Sequence, residues 1–104
     1  MLKITLSKIT EYIVATIDPE QVLLFGSLAS GKDDKYSDVD IIIITNFDQE
    51  RNERLKHDVN TFINEFSLKP DIHIHSVKDI REAQEKPFSF LGSVLKNGKT
   101  IYEK

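Results

Sequence analysis

Asp38 and Asp40 stand two apart at the head of the run Asp-Val-Asp-Ile-Ile-Ile-Ile-Thr. In an extended strand, residues two apart leave from the same side, so the carboxylates share a face. Two carboxylates held close repel each other, and one takes up a proton unless a cation lies between them. Magnesium suits such a pair, since it accepts one or two carboxylates and completes its octahedron with phosphate oxygens and water. Taken alone, Ser37-Asp38 also reads as a turn cap with Asp40 left in solvent. The four isoleucines that follow argue against this. They set Asp40 at the mouth of a buried strand, where a charge needs a partner.

Upstream, with ten residues between it and Asp38, Gly26-Ser27 ends the apolar segment Leu23-Leu24-Phe25. Glycine lets the backbone approach a phosphate closely, and a turn that opens a helix presents free N–H groups at a positive dipole end. Ser27 adds a hydroxyl donor. A lone Gly-Ser is equally an ordinary strand-to-helix turn; the pairing with Asp38 and Asp40 makes it a candidate phosphate cradle. Further on, Asp71-Ile72-His73-Ile74-His75 alternates strictly. One face of that strand is apolar, and the other carries Asp71, His73 and His75. His-x-His with Asp71 is also a pattern that could hold zinc.

With Gly-Ser, ten residues and Asp-x-Asp in place, the chain resembles the nucleotidyltransferase superfamily that includes DNA polymerase beta. It is most similar to the smallest members, the minimal nucleotidyltransferases. The resemblance covers most of the chain and is specific from Gly26 to Ile44. It implies that Gly26 and Ser27 grip the phosphates of an incoming nucleotide and that Asp38 and Asp40 bind two Mg²⁺ ions. It further implies that Asp71 is a third carboxylate, on the metal and near the attacking hydroxyl. His73 and His75 then become half-exposed residues lining a cleft. Many family members continue Gly-Ser with Arg-Ala-Arg-Gly, whereas this chain reads Leu28-Ala29-Ser30-Gly31. Lysine and serine do not reproduce the bidentate phosphate contact of arginine. Lys32 and Lys35 are the loop cations that could compensate, and Tyr36 could stack on a base.

The elements that must position these residues follow from periodicity. Ile9, Tyr12, Ile13 and Ile17 recur at helical spacing over residues 5–17, with a stop near Asp18-Pro19. Gln21 to Phe25 is a short strand, and Asp38 to Thr45 a central one, apolar on both faces after its first turn. Leu55, Val59, Phe62, Ile63 and Phe66 mark a helix from about Gln49 to Phe66. Ser76 reads as the N-cap of a helix from Val77 to about Glu85. Pro87 reads as the start of a last helix packing Phe88, Leu91, Val94 and Leu95 on one side. Asn97-Gly98 stops it, and Thr100 to Tyr102 adds a terminal strand. Helices alternating with strands give an α/β (α+β) class with one mixed sheet. The resemblance sharpens this to a nucleotidyltransferase fold, a small mixed sheet with helices on one face and the active site on the other.

At 104 residues the chain is expected to form a single domain, residues 1–104. Its composition, 39% hydrophobic and 30% charged, is that of a soluble globular protein. No apolar run approaches a membrane span and no signal segment is evident, so a cytoplasmic location fits. Cysteine is absent, which excludes disulfides and thiolate metal sites. The net charge of −3, with no basic face, speaks against nucleic acid as a partner.

These readings lead to one expectation: Mg²⁺-dependent transfer of a nucleoside monophosphate, AMP from ATP, to a hydroxyl. Larger relatives carry a further domain that recognises the acceptor, so here the acceptor surface is expected from a partner or a second copy of the chain. Minimal nucleotidyltransferases pair with small helical HEPN-type proteins as antitoxins, and some add AMP to a tyrosine of the toxin; the resemblance implies that role. The competing reading is an antitoxin that neutralises its partner by contact alone, its site vestigial. Transfer to a small molecule such as an aminoglycoside would need an acceptor-binding domain, which the sequence does not show. The sequence leaves open the base preference, the acceptor and the oligomeric state.

Overall fold

The isoleucine run forms the middle of a sheet. The computed structural model describes residues 3–26, 38–86 and 88–104. Along these run α1 (Lys3–Ile17), β1 (Gln21–Leu24), β2 (Asp38–Thr45), α2 (Gln49–Asn64), β3 (Lys69–Ser76), α3 (Val77–Gln84), α4 (Phe90–Asn97) and β4 (Lys99–Glu103). The strands form one mixed sheet in the order β3-β2-β1-β4. β2 is parallel to β3 and antiparallel to β1, and β4 runs antiparallel to β1. The α+β class and the mixed sheet expected from the sequence are what the chain adopts.

Alternation along β2 sends Val39, Ile41 and Ile43 to one face, where they meet Val22, Leu24 and Ile72. Ile9, Ile13 and Ile17 of α1 and Val59 and Ile63 of α2 close this layer into the main core. Fully burying such a side chain contributes about 1.5–3 kcal/mol relative to leaving it exposed. Tyr12, on the apolar face of α1, stacks parallel on Phe62 at 4.0 Å and ties α1 to α2.

The other face of β2 changes character halfway along. Ile42 and Ile44, with Leu23, pack beneath Val94, Leu91, Leu95, Val77 and Ile80 of the α3–α4 layer. Asp38 and Asp40, on the same face, lie beyond that cover, Asp38 exposed and Asp40 part-buried. The site-bearing face therefore carries a smaller second layer of its own. The switch from carboxylate to isoleucine marks its edge.

Local signals place the joints. Asp18 ends α1 at a φ of 52°, its N–H donating to the carbonyl of Val14 at 3.0 Å. Asp48 caps α2, its carboxylate accepting from the Arg51 N–H at 2.8 Å. Ser76 caps α3 in a reciprocal box with Asp79. The last helix departs from expectation. It begins at Phe90 under the N-cap of Ser89, not at Pro87, which lies outside the described residues. Phe88 therefore precedes the helix and is 99% exposed instead of packed. Among the described residues no helix is long and apolar enough to cross a membrane.

Candidate active site

The parallel pairing of β2 and β3 runs in register, so Asp40 faces Asp71 and Ile42 faces His73. Neighbouring strands lie about 4.8 Å apart, which brings Asp40 and Asp71 side by side with Asp38 one pleat further along. The structure thus gathers the three aspartates singled out in the sequence on one patch. Asp40 is the most enclosed of them. Burial raises its carboxyl above the usual carboxylate range, and the negative charges of Asp71 and then Asp38 add to this, with His73 pulling the other way.

Gly26 closes the patch from the β1 side. The N–H of Phe25 donates to the carbonyl of Asp40 at 3.0 Å, which carries the β1–β2 ladder one residue past β1. The chain then turns at Gly26 with a φ of 66°. A Cβ at this position would lie 2.5 Å from Oδ2 of Asp40. The backbone conformation favours glycine here, and a Cβ would also push aside the end of the Asp40 side chain. Ser27, Leu28-Ala29-Ser30-Gly31, Lys32, Lys35, Tyr36 and Ser37 lie outside the described residues.

The two histidines do not share a role. His73 Nε2 lies 3.1 Å from Oδ1 of Asp71, and the ring is flanked by Phe25 at 5.5 Å and Phe90 at 5.4 Å. His75 stacks parallel on His73 at 6.3 Å but sits beside α3, its Nδ1 3.7 Å from the Asp79 carboxylate. Among the described residues its Nε2 is buried with no hydrogen-bond partner. Burial pushes the His75 imidazole down, against the upward pull of Asp79. Both histidines are half-buried, as expected, but only His73 adjoins the carboxylates, whereas His75 sits beside α3.

The donor set has the chemistry for a hard divalent cation, since it offers oxygen alone from Asp38, Asp40 and Asp71. Among the described residues no three His, Asp or Glu side chains stand close enough to hold one ion between them. Magnesium does not require three, because substrate phosphates and water supply its remaining ligands. The raised Asp40 carboxyl supports the fit, since a cation beside it would remove the repulsion from Asp71 and Asp38. The larger grooves among the described residues lie elsewhere. One of about 530 Å³ runs along α1 beside Ile101 and Tyr102, and one of about 550 Å³ sits at the far end of β3, beside Asn52 and Asp79.

Two features were not legible in advance. The first is the bond from His73 to Asp71. The second is Phe90, 57% exposed and perpendicular to Phe25 at 5.9 Å. Alternation placed His73 on the right face, but no sequence signal joined it to α4.

A mixed sheet whose central strand presents two aspartates beside a third on its parallel neighbour has the architecture of a nucleotidyltransferase. The chain belongs to the polymerase beta nucleotidyltransferase family, whose model matches residues 7–104. Solved structures share the fold at low identity. A toxin–antitoxin MntA-HpeT complex aligns with a TM-score of 0.62 and 18% identity over 100% of this chain and 75% of the other. A Shewanella oneidensis structure, a tri-AMPylated HEPN toxin in complex with its MNT antitoxin, aligns at 0.60 and 16% over 100% and 74%. A nucleotidyltransferase-like protein from Sulfolobus solfataricus aligns at 0.53 and 16% over 96% and 78%. No curated protein matches the chain in sequence.

Proposed function

We propose that this chain is a single-domain cytoplasmic antitoxin that transfers AMP from ATP to a tyrosine hydroxyl of a helical HEPN-type toxin. The observation that carries the reading is the in-register placement of Asp40 beside Asp71, with Asp38 on the same face and Gly26 against Asp40. In the transfer, the tyrosine oxygen forms a bond to the α-phosphorus, and the bond from that phosphorus to the bridging oxygen of pyrophosphate breaks. Asp38 and Asp40 would hold Mg²⁺, and Asp71 would complete the site nearest the acceptor. Magnesium, when bound, neutralises the phosphate oxygens and lowers the acidity threshold of the attacking hydroxyl. Asp71, exposed at the rim, receives the proton that the tyrosine gives up. Gly26, and Ser27 after it, admit the phosphates close to the backbone. The protein's share of the work is thus to hold partners in line. The AMP on the toxin of the Shewanella oneidensis complex supports AMP as the group transferred and a HEPN-type toxin as the partner that receives it.

A second reading has its own support. Leu28 and Ser30 stand where many relatives carry arginine, which favours an antitoxin that acts by contact alone. Calorimetric titration of ATP with Mg²⁺ and with EDTA, on the wild type and on Asp38→Asn/Asp40→Asn, tests the two. Metal-dependent binding that the double variant loses, followed by AMP appearing on the partner, supports transfer. Neutralisation that survives the double substitution undiminished, with no AMP on the partner, supports contact alone.

A further inference from the structure

His73 is held from three directions. Its Nε2 meets Oδ1 of Asp71 at 3.1 Å, Phe25 presents an edge at 5.5 Å and 70°, and Phe90 leans over it at 5.4 Å and 39°. Phe25 and Phe90 touch each other edge to face at 5.9 Å, so the three rings form one cluster. An ionised carboxylate accepts hydrogen bonds and cannot donate, which assigns the proton to Nε2 and makes His73 the donor to Asp71. Asp71 has a side chain 60% exposed and that of His73 is 32% exposed. An exposed carboxylate is free to rotate, and a hydrogen bond from a mobile partner would do little to stop it. A donor packed against two aromatic rings that also touch each other has lost much of that freedom.

We infer that His73 is a positioning residue for Asp71, clamped by Phe25 and Phe90 so that it fixes the carboxylate through Oδ1 and leaves Oδ2 for a divalent cation. This rests on the reading of Asp38, Asp40 and Asp71 as the metal-binding set. Groups that hydrogen-bond to metal ligands set their orientation, and losing one typically costs 10–100-fold in metal affinity. A purely structural role for His73 would need packing alone, which a phenylalanine could supply as well. His75 provides an internal comparison: on the same face and two residues along, its carboxylate neighbour is Asp79 of α3, at 3.7 Å.

The test is a Mn²⁺ titration of the ¹⁵N-labelled full chain, read by paramagnetic broadening of the amide signals at 38–40 and 71. Relative to wild type, His73→Phe keeps the ring and removes the donor, and is expected to need about tenfold more Mn²⁺ for half-broadening. His73→Gln, which restores an N–H donor, should recover to within about threefold on the same scale. His75→Gln should titrate as wild type. Phe90→Ala, which loosens the clamp and leaves the donor, should fall between. Added to Asp71→Asn, His73→Phe should cause no further loss, because both act through one carboxylate. Wild-type affinity in His73→Phe, or a loss that compounds in full with that of Asp71→Asn, would overturn the inference. If Asp38→Asn/Asp40→Asn abolishes broadening while His73→Phe and Phe90→Ala do not change it, the inference falls alone. If the wild type itself shows no broadening at these amides, the metal-site reading falls with it. Amide dispersion verifies the fold of each variant, and the exposed Phe90→Ala decides the matter if His73→Phe is misfolded.

Discussion

Gly26 and Asp40 are packed so that no side chain can be added at the first without displacing the carboxylate of the second. The Cβ position at Gly26 lies 2.5 Å from Oδ2 of Asp40, and the φ of 66° is itself costly for other residues. Gly26→Ala should therefore destabilise the fold by about 2 kcal/mol in urea unfolding, the sum of strain and displacement. Adding Asp40→Ala should restore part of that loss, because the clash has been removed and the φ penalty has not. Purely additive effects would show that the two residues do not meet as described.

Asp40→Asn should stabilise the protein while it removes metal-dependent nucleotide binding. The Asp40 carboxyl is raised in the fold by burial and by Asp71 and Asp38. The folded chain thus binds a proton more tightly there than the unfolded chain, and stability falls as pH rises through that range. At neutral pH the charged form costs stability that asparagine does not. Thermal unfolding at pH 7 without metal should give a higher Tm for Asp40→Asn than for wild type. Added Mn²⁺ should raise the wild-type Tm and leave that of the variant where it was.

His75 should make the fold sensitive to mild acid. Its imidazole lies below the ordinary 6.5 because of burial, opposed by Asp79 and assisted by His73 and Lys56. The unfolded chain is then protonated first, so stability is full above about 6.5 and declines as pH falls towards the folded value. His75→Gln should flatten that part of the curve in chemical unfolding measured from pH 7.5 to pH 5. An identical slope in the variant would assign the dependence to other groups.

At the end of β2 the buried Thr45 hydroxyl lies 2.8 Å from the side-chain oxygen of Asn52. The Asn52 amide in turn reaches the carbonyl of Phe47 at 3.4 Å. Asn52→Ala should cost about 1–3 kcal/mol, since the buried Thr45 hydroxyl loses its acceptor and keeps only the N–H of Phe47, at 3.3 Å. Thr45→Val should cost less in that background than in the wild type, because only the contact with the Phe47 N–H is then left to lose. Denaturant unfolding of the two single variants and the double variant measures this coupling.

How much of this could be read from the chain varied with how local the cause was. Asp38–Thr45 was legible to the residue, because the polar stretch before it and the change from isoleucine to Asn46 mark both ends in the sequence. Ser76 was legible as a cap because a serine side chain competes for the first free N–H groups of a helix. That Asp71 shares a face with His73 followed from alternation alone, whereas its pairing with Asp40 depends on a register that no local signal fixes. The histidines could not be told apart, since what separates them is the edge of the α3–α4 layer. Apolar spacing continues back through Phe88 to Pro87, so the sequence reads Phe88 as part of the packed helix. Ser89, a capping residue just before Phe90, was the signal that could have corrected this.

The register of β2 against β3 has a consequence for folding fidelity. Ile72 enters the main core only if Asp71 and His73 point the other way, since successive residues alternate. A β3 strand slipped by one position would turn Ile72 and Ile74 out to water and bury two histidines and an aspartate. The patch of carboxylates and the isoleucine core are therefore two readouts of one event. Any chain competent to bind a cation at Asp40 and Asp71 has already passed a check on its own assembly, and a site assay on a fresh preparation would count correctly paired molecules.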